Sequence, residues 1–461
     1  MHDTAATTER WGHRSAFFLA ATASAVGLGN IWKFPYVLGE NGGGAFLVLY
    51  LAAIAVIGIP IMMAEVMIGR RGRRSPGYAA RSVARETGAH EAWQVVGWLG
   101  MFAAFLIMGF YSVIAGWSLA YVGKAASGTF VDADAGQVTA VFQALTGNPV
   151  EMITWTTIAL LGAFVVVAYG LRRGLERGVR ILMPALLVLL LVTAGSALWV
   201  GDTGAALHFM LTPDFSAIGM NTVLVAIGQA FFTLTLAAGV LMMFGAYLAP
   251  DASIARTAVG VALADTVIAL IAGLAIFPVV FGFGLDPAEG PGLMFQSLPL
   301  ALSAVPAGAI LATLFFVMLS VAGFSTMITN VQALVHLLEE RLHIRRWIAA
   351  LGSGAAIWAL SLVTVFSFSG ATWTQVELSL LGRDLPTLFD VLEHVSVNLL
   401  LPLGGLLIAI FTGWIIKPRI TREELAMGPV AFHLWRLFLR YVAPLAILLV
   451  FLQLSGFTPL A

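Results

Sequence analysis

The sequence predicts an all-α polytopic membrane protein, and three observations carry that prediction. Hydrophobic residues make up 60% of the 461-residue chain and charged residues only 10%, with a mean hydropathy of +0.94. A water-exposed surface on a chain this long needs far more charge. The apolar residues fall in blocks of about 18 or more, the length that crosses a bilayer as a helix. Basic residues gather at alternate ends of those blocks, as the positive-inside rule requires. In lipid only helices and closed barrels satisfy their backbone groups, and the short alternating segments of barrel strands are absent.

Eleven spans follow in order, at 15–37, 45–68, 95–123, 153–170, 179–200, 220–248, 257–284, 305–337, 347–368, 388–415 and 431–454. Several exceed the roughly 20 residues a bilayer needs, so they are expected to tilt, break or extend into water. Arg10 and Arg14 precede the first span. Arg70, Arg71, Arg73, Arg74, Arg81 and Arg85 follow the second, and Arg172, Arg173, Arg177 and Arg180 follow the fourth. Arg256 follows the sixth, Arg341, Arg345 and Arg346 the eighth, and Lys417, Arg419, Arg422, Arg436 and Arg440 surround the start of the eleventh. Of the 24 Lys and Arg, only Lys33, Lys124 and Arg383 lie elsewhere. The N-terminus is therefore expected in the cytoplasm and the C-terminus on the far side, periplasmic if the bilayer is a bacterial inner membrane. Trp11, His13 and Arg14 run straight into the first block with no signal-peptide cleavage pattern. The loop 124–152 carries Asp132, Asp134 and Glu151. The Pro- and Gly-rich loop 285–304 holds a short apolar stretch, read as a re-entrant or capping helix. No linker separates soluble domains, so 1–461 reads as one membrane domain.

Net charge is zero and there is no cysteine. That argues against nucleic acid as a partner and excludes disulfides, thiolate metal sites and a cysteine nucleophile. His208, His336, His343, His394 and His433 are scattered, with no metal-ligand spacing. An enzyme is not expected. Two spans carry chemistry instead. The first contains Ser24-Ala25-Val26-Gly27-Leu28-Gly29-Asn30, with Lys33 one turn later, and the sixth contains Thr233-Leu234-Thr235-Leu236-Ala237-Ala238-Gly239. Both are poor helix at mid-membrane. Small residues also serve close helix packing, but Asn30 beside Lys33 favours a break. Interruptions at matching places in two halves point to inverted repeats, 15–200 and 220–415, with a binding site between them; 431–454 is then an extra span.

The residues resemble a known family. Ala25-Val26-Gly27-Leu28-Gly29-Asn30-Ile31-Trp32-Lys33-Phe34-Pro35, then Glu40-Asn41-Gly42-Gly43-Gly44-Ala45-Phe46, is similar to the first-span signature of the neurotransmitter:sodium symporters. Gly58-Ile59-Pro60 with Glu65 and Gly69-Arg70 resembles their second span, Gln229 to Leu236 their sixth, and Ala322-Gly323-Phe324-Ser325-Thr326 their eighth. The matches run in register from Trp11 to about Trp414. The resemblance implies a LeuT-type fold, with spans 1, 2, 6 and 7 rocking against a scaffold of spans 3, 4, 8 and 9. It implies sodium-coupled uptake of an amino acid by a monomer or homodimer, the alternatives being an amino-acid sensor on the same scaffold or a symporter for a different small amine or carboxylate.

It also implies residue roles. A first sodium ion would be held by Ala25, Asn30, Thr233 and Asp265, where the family commonly has Asn at the last position. A second would be held by carbonyls of Ala23, Val26 and Ala322 with hydroxyls of Ser325 and Thr326. The alternative for that Ser-Thr pair is bonding to its own helix carbonyls. The substrate carboxylate would meet the N–H groups of Leu28 and Gly29, and the Tyr111 hydroxyl. The amine would meet carbonyls of Ala25, Phe232 and Thr233 and the Thr235 hydroxyl. Gly27, where amine-carrying members have Asp, favours an amino acid. Ile107, Tyr111, Phe232, Ala238, Thr326 and Asn330 would line the side-chain pocket. Ala238 enlarges it and Asn330 makes it partly polar, suggesting a large or partly polar neutral amino acid. Tyr50, Gln229, Thr233, Asp265 and Ala269 stand where chloride-dependent members hold the anion. A carboxylate at Asp265 would supply that charge, so transport is expected to be chloride-independent, with Asp265 able to exchange a proton. The outer gate would pair Lys33 with Asp390 or Glu393. The inner gate would pair Glu340 with Arg10 beside Trp11 and Tyr247, although the usual Arg position holds Thr8. Glu65 would brace the unwound sixth span.

Overall fold

The computed structural model describes residue 11 and residues 14–454, apart from 288–292, 304–306 and 381–382. Among the described residues, nine helices are long and apolar enough to cross a bilayer. They are Gly44–Gly72, Glu91–Ala126, Pro149–Ala168, Leu171–Val200, Ile254–Gly282, Gly308–Leu342, Arg346–Phe368, Leu388–Ile415 and Pro429–Leu452. These are predicted spans 2 to 5 and 7 to 11. Span 8 runs past its predicted end at 337 because Glu339, Glu340 and Arg341 are good helix formers that carry the helix out of the apolar layer.

Spans 1 and 6 are broken. Span 1 is helical over Arg14–Ala25, opens at Val26 and Gly27, and resumes through Gly29–Lys33 and Phe34–Glu40. Span 6 is helical over Met220–Thr233 and again over Val240–Ala246. Between them Thr235 and Ala237 take positive φ of 51° and 60°. That region is costly for residues with a Cβ, so a neighbour must stabilise it. The neighbour is Glu65 of span 2, buried completely, whose Oε2 accepts the Ala237 N–H at 3.0 Å. Removing this acceptor in a medium without water leaves a backbone donor unpaired. Glu65→Ala is therefore expected to lower stability by about 1–3 kcal/mol. A thermal-unfolding midpoint equal to that of the parent would contradict this bracing role.

The second half of span 6, Val240–Ala246, packs on span 2 through small residues. A Cβ on Gly69 would lie 1.8 Å from the Met242 carbonyl oxygen, and one on Gly245 would lie 2.4 Å from that of Val66. Backbone meets backbone there, as in close membrane-helix pairs. Spans 3 and 8 make the most extensive contact in the molecule, and spans 4, 5 and 9 pack on them. Span 1 threads between spans 7 and 8.

The loops hold structure that the apolar blocks do not reveal. Pro76–Thr87 is an amphipathic helix ended by Gly88 at a φ of 79°. Ala135–Thr146 starts with a capping box from Asp134 and Gln137. Gln375–Leu380 and Arg383–Thr387 pair as an antiparallel hairpin. The apolar stretch of 285–304 forms helical turns over Leu293–Ser297 and Leu298–Ser303.

Candidate functional site

The two breaks face one cavity at the centre of the bundle. Span 1 contributes Ser24, Ala25, Gly27 and Gly29; span 3 contributes Ile107, Met108 and Tyr111. Phe232 and Thr235 come from span 6, Thr326 and Asn330 from span 8, and Leu401 from span 10. The cavity lining does not include Ala238, which sequence reading assigned to the pocket. The positive-φ turn carries residues 237–239 over span 3 instead, where a Cβ on Gly100 would touch the Ala237 oxygen at 2.4 Å and the Ala238 carbonyl carbon at 3.0 Å. Ser24, Met108 and Leu401 were not anticipated. Ser24 borders the break and carried a usable signal; Met108 and Leu401 are apolar residues in apolar helices and carried none.

Tyr111 accepts the Leu28 N–H on its hydroxyl at 3.0 Å. Gly27 sits beside that phenol: a Cβ there would lie 2.6 Å from the Tyr111 hydroxyl and 2.1 Å from Thr326 Oγ1. The Thr235 hydroxyl donates to the Ser24 carbonyl at 2.8 Å, tying the two breaks together. Gln229 Nε2 adds a second tie, donating to the Gly29 carbonyl at 3.2 Å.

Asp265 lies within the span 7 helix and is completely buried. Three donors converge on its carboxylate. Asn30 Nδ2 reaches Oδ1 at 2.7 Å, Thr233 Oγ1 reaches Oδ2 at 3.1 Å, and the Tyr50 hydroxyl reaches Oδ2 at 3.4 Å. Asn30 Nδ2 also bonds the Asp265 carbonyl at 3.1 Å, and Asn30 Oδ1 accepts the Gly27 N–H at 3.3 Å. Ala269, one turn on, is buried and brings no polar group. A carboxylate, an amide oxygen and a hydroxyl beside the carbonyl-bearing break form a hard, oxygen-rich set of the kind that suits a cation such as sodium.

A second oxygen cluster joins spans 1 and 8. Thr326 Oγ1 donates to the Ala23 carbonyl at 3.3 Å and the Val26 carbonyl at 3.5 Å. Ser325 Oγ donates back to the Ala322 carbonyl of its own helix at 2.8 Å. Rotating those two hydroxyl protons away would leave three carbonyls and two hydroxyl oxygens for a cation.

Ion pairs and aromatic contacts lie toward both ends. Lys33 Nζ contacts Glu393 Oε1 at 2.8 Å and stands 4.4 Å above the Phe232 ring. Asp390, the alternative partner, is engaged in a capping box with Thr387 at the start of its helix. A partly exposed pair of this kind contributes roughly 1 kcal/mol or less. If this pair closes the cavity, Glu393→Gln is expected to speed substrate dissociation a few-fold, read as a dissociation rate; a slower release would exclude a gating role. On the opposite side, Trp11 donates from Nε1 to the Phe244 carbonyl at 3.4 Å and packs edge-on against Phe244 and Tyr247. The Tyr247 hydroxyl bonds His336 Nδ1 at 3.0 Å. Glu340 is held by Arg74 at 2.9 Å and by the Ser75 N–H at 2.7 Å. The expected partner of Glu340, Arg10, lies outside the described residues. Arg74 and the N-terminus of the Pro76–Thr87 helix supply the positive groups this carboxylate needs.

Comparison with known proteins agrees with this architecture. A family model described as the sodium:neurotransmitter symporter family matches residues 8–136 and 146–459. The sodium-dependent transporter YhdH of Bacillus subtilis is 34% identical over 97% of this chain and 98% of its own length. A sodium-dependent transporter of Haemophilus influenzae is 32% identical over 96% and 98%. The crystal structure of MhsT in complex with L-phenylalanine superposes with a TM-score of 0.88 at 39% identity, over 96% of this chain and 99% of that one. The broken spans, the buried carboxylate between them and these likenesses agree: the chain is a multi-pass membrane protein with the LeuT-type fold and belongs to the sodium:neurotransmitter symporter family.

Proposed function

We propose that this sodium-coupled symporter takes up a large neutral L-amino acid with two sodium ions, by alternating access and without chloride. The observation that carries the substrate class is the bare backbone at Gly27 beside the Tyr111 phenol. No side chain there competes for an amine, and a substrate carboxylate can meet the Tyr111 hydroxyl, the N–H groups of Leu28 and Gly29 and the first ion. Half-helix N-termini favour an anion at that place. The amine then faces the carbonyls of Ala25, Phe232 and Thr233. The phenylalanine bound to MhsT supports an amino-acid substrate. Asp265 gives the first ion a fixed counter-charge, which supports chloride independence. In this reading spans 1, 2, 6 and 7 rock against spans 3, 4, 8 and 9 about the site between the two inverted repeats, 15–200 and 220–415, and the N-terminus lies in the cytoplasm of a bacterium.

The test is a thermal-shift screen of the twenty amino acids on purified protein in sodium and in potassium. Stabilisation by a few neutral amino acids in sodium alone is the expected result, since a ligand that binds only the folded state raises its stability. A response to amines alone would overturn the substrate class. Replacing chloride with gluconate is expected to leave uptake into proteoliposomes unchanged; loss of uptake would overturn the role given to Asp265.

A further inference from the structure

Within the proposed amino-acid site, and resting on that reading, we infer that Asn330 makes the protein select substrates whose side chain ends in a hydrogen-bond donor. Asn330 is on span 8, one turn beyond Thr326, and is 3% exposed. It lines the central cavity. Its Nδ2 donates to the Thr326 carbonyl at 2.9 Å. A carbonyl only accepts, so this bond fixes which way the carboxamide faces. The nitrogen is turned to the helix, and the oxygen is turned away from it. That oxygen makes no hydrogen bond to a described residue.

The surrounding wall is mostly apolar. Ile107, Met108, Phe232 and Leu401 line the same cavity. An amide that served only as packing would have both ends satisfied by the protein, because a buried unpaired acceptor is costly. Here the nitrogen is satisfied by the helix, the oxygen has no partner among the described residues, and the residue lines the space for the substrate. Ser24 adds a second polar residue to the lining, and its buried hydroxyl has no partner among the described residues. A hydrocarbon side chain such as that of leucine or phenylalanine leaves the Asn330 oxygen dry and unpaired. An indole N–H or a phenol O–H pairs with it. With the large neutral substrate already proposed, this favours tryptophan, then tyrosine, over phenylalanine.

The experiment compares binding of L-tryptophan with that of 3-benzothienyl-L-alanine, in which sulfur replaces the indole N–H at nearly the same shape. Both are measured by competition on the purified full chain in sodium, for the parent and for Asn330→Leu. A site built to bond a donor rejects the analogue that lacks it. The parent is expected to bind tryptophan at least about tenfold more tightly than the sulfur analogue, and Asn330→Leu to bring that ratio within about twofold. A parent ratio near one overturns the inference, and so does an unchanged ratio in the variant. Should Asn330→Leu not fold, the parent's preference for tyrosine over phenylalanine decides, and phenylalanine binding as well or better overturns the inference. Tight binding of several neutral amino acids with no donor preference sinks the role of Asn330 alone. No binding of any amino acid in sodium sinks the amino-acid reading, and the inference with it.

Discussion

Replacing Gly27 with alanine is expected to cripple sodium-dependent uptake while leaving the protein folded. The added methyl would lie 2.1 Å from Thr326 Oγ1, 3.0 Å from Thr326 Cβ and 2.6 Å from the Tyr111 hydroxyl. Neither neighbour can yield cheaply. Threonine is stiff about χ1, and its hydroxyl already bonds the Ala23 and Val26 carbonyls. The Tyr111 phenol is held by the Leu28 N–H. One methyl group therefore disturbs the proposed carboxylate site and the proposed second ion site together. A loss of at least about 100-fold in uptake efficiency is expected, corresponding to roughly 3 kcal/mol. The ligand-free unfolding midpoint is expected to move by only a few degrees, since the break can shift locally. Near-normal uptake by Gly27→Ala would show that the carboxylate binds elsewhere.

The second large effect is expected at Asp265. Asp265→Asn keeps the shape but removes the charge on which Asn30, Thr233 and Tyr50 converge. Hydrogen bonds to a charged group contribute more than neutral ones, about 1.5–3 kcal/mol each. Apparent sodium affinity is expected to fall by roughly 10- to 100-fold. Chloride is expected to restore part of it, because Tyr50, Gln229 and Thr233 remain to hold an anion. The restoration stays partial, because Ala269 brings no hydroxyl. Sodium titrations of uptake with and without chloride measure both effects. An unchanged sodium affinity in Asp265→Asn would remove this carboxylate from the ion site.

Much of this architecture could be read from the chain, for a physical reason. Lipid forces every span to announce itself as an apolar block. The two breaks stood out because glycine, asparagine and threonine are conspicuous at mid-membrane. Asp265 was placed by the register of the family resemblance, and a mid-membrane carboxylate demands partners. Side chains whose role depends on the path of an unwound backbone were not legible. Ala238 follows the expected spacing, but two positive-φ residues turn it away from the cavity. The choice between Asp390 and Glu393 depended on which carboxylate caps its own helix, a fact of three-dimensional geometry. The helices Pro76–Thr87 and Ala135–Thr146 and the hairpin were missed because their signals are caps and turns rather than apolar runs, whereas the apolar stretch of 285–304 marked its own helical turns.

The fixed carboxylate at Asp265 bears on the electrical work of transport. A neutral amino acid is a zwitterion, so on the proposed cycle two sodium ions and no chloride carry two net positive charges inward. Each charge gains about 2.3 kcal/mol per 100 mV of membrane potential. Two charges favour accumulation by on the order of 10³-fold at that voltage, before any sodium gradient is counted. An accompanying chloride would cancel half of this drive in free energy. The same carboxylate can forfeit it too. If Asp265 returns to the outside carrying a proton from the cytoplasm, that proton leaves as two sodium ions enter, and one charge per cycle remains. The current measured per substrate molecule in proteoliposomes distinguishes the two cycles, and with them how steeply uptake follows the voltage of the cell.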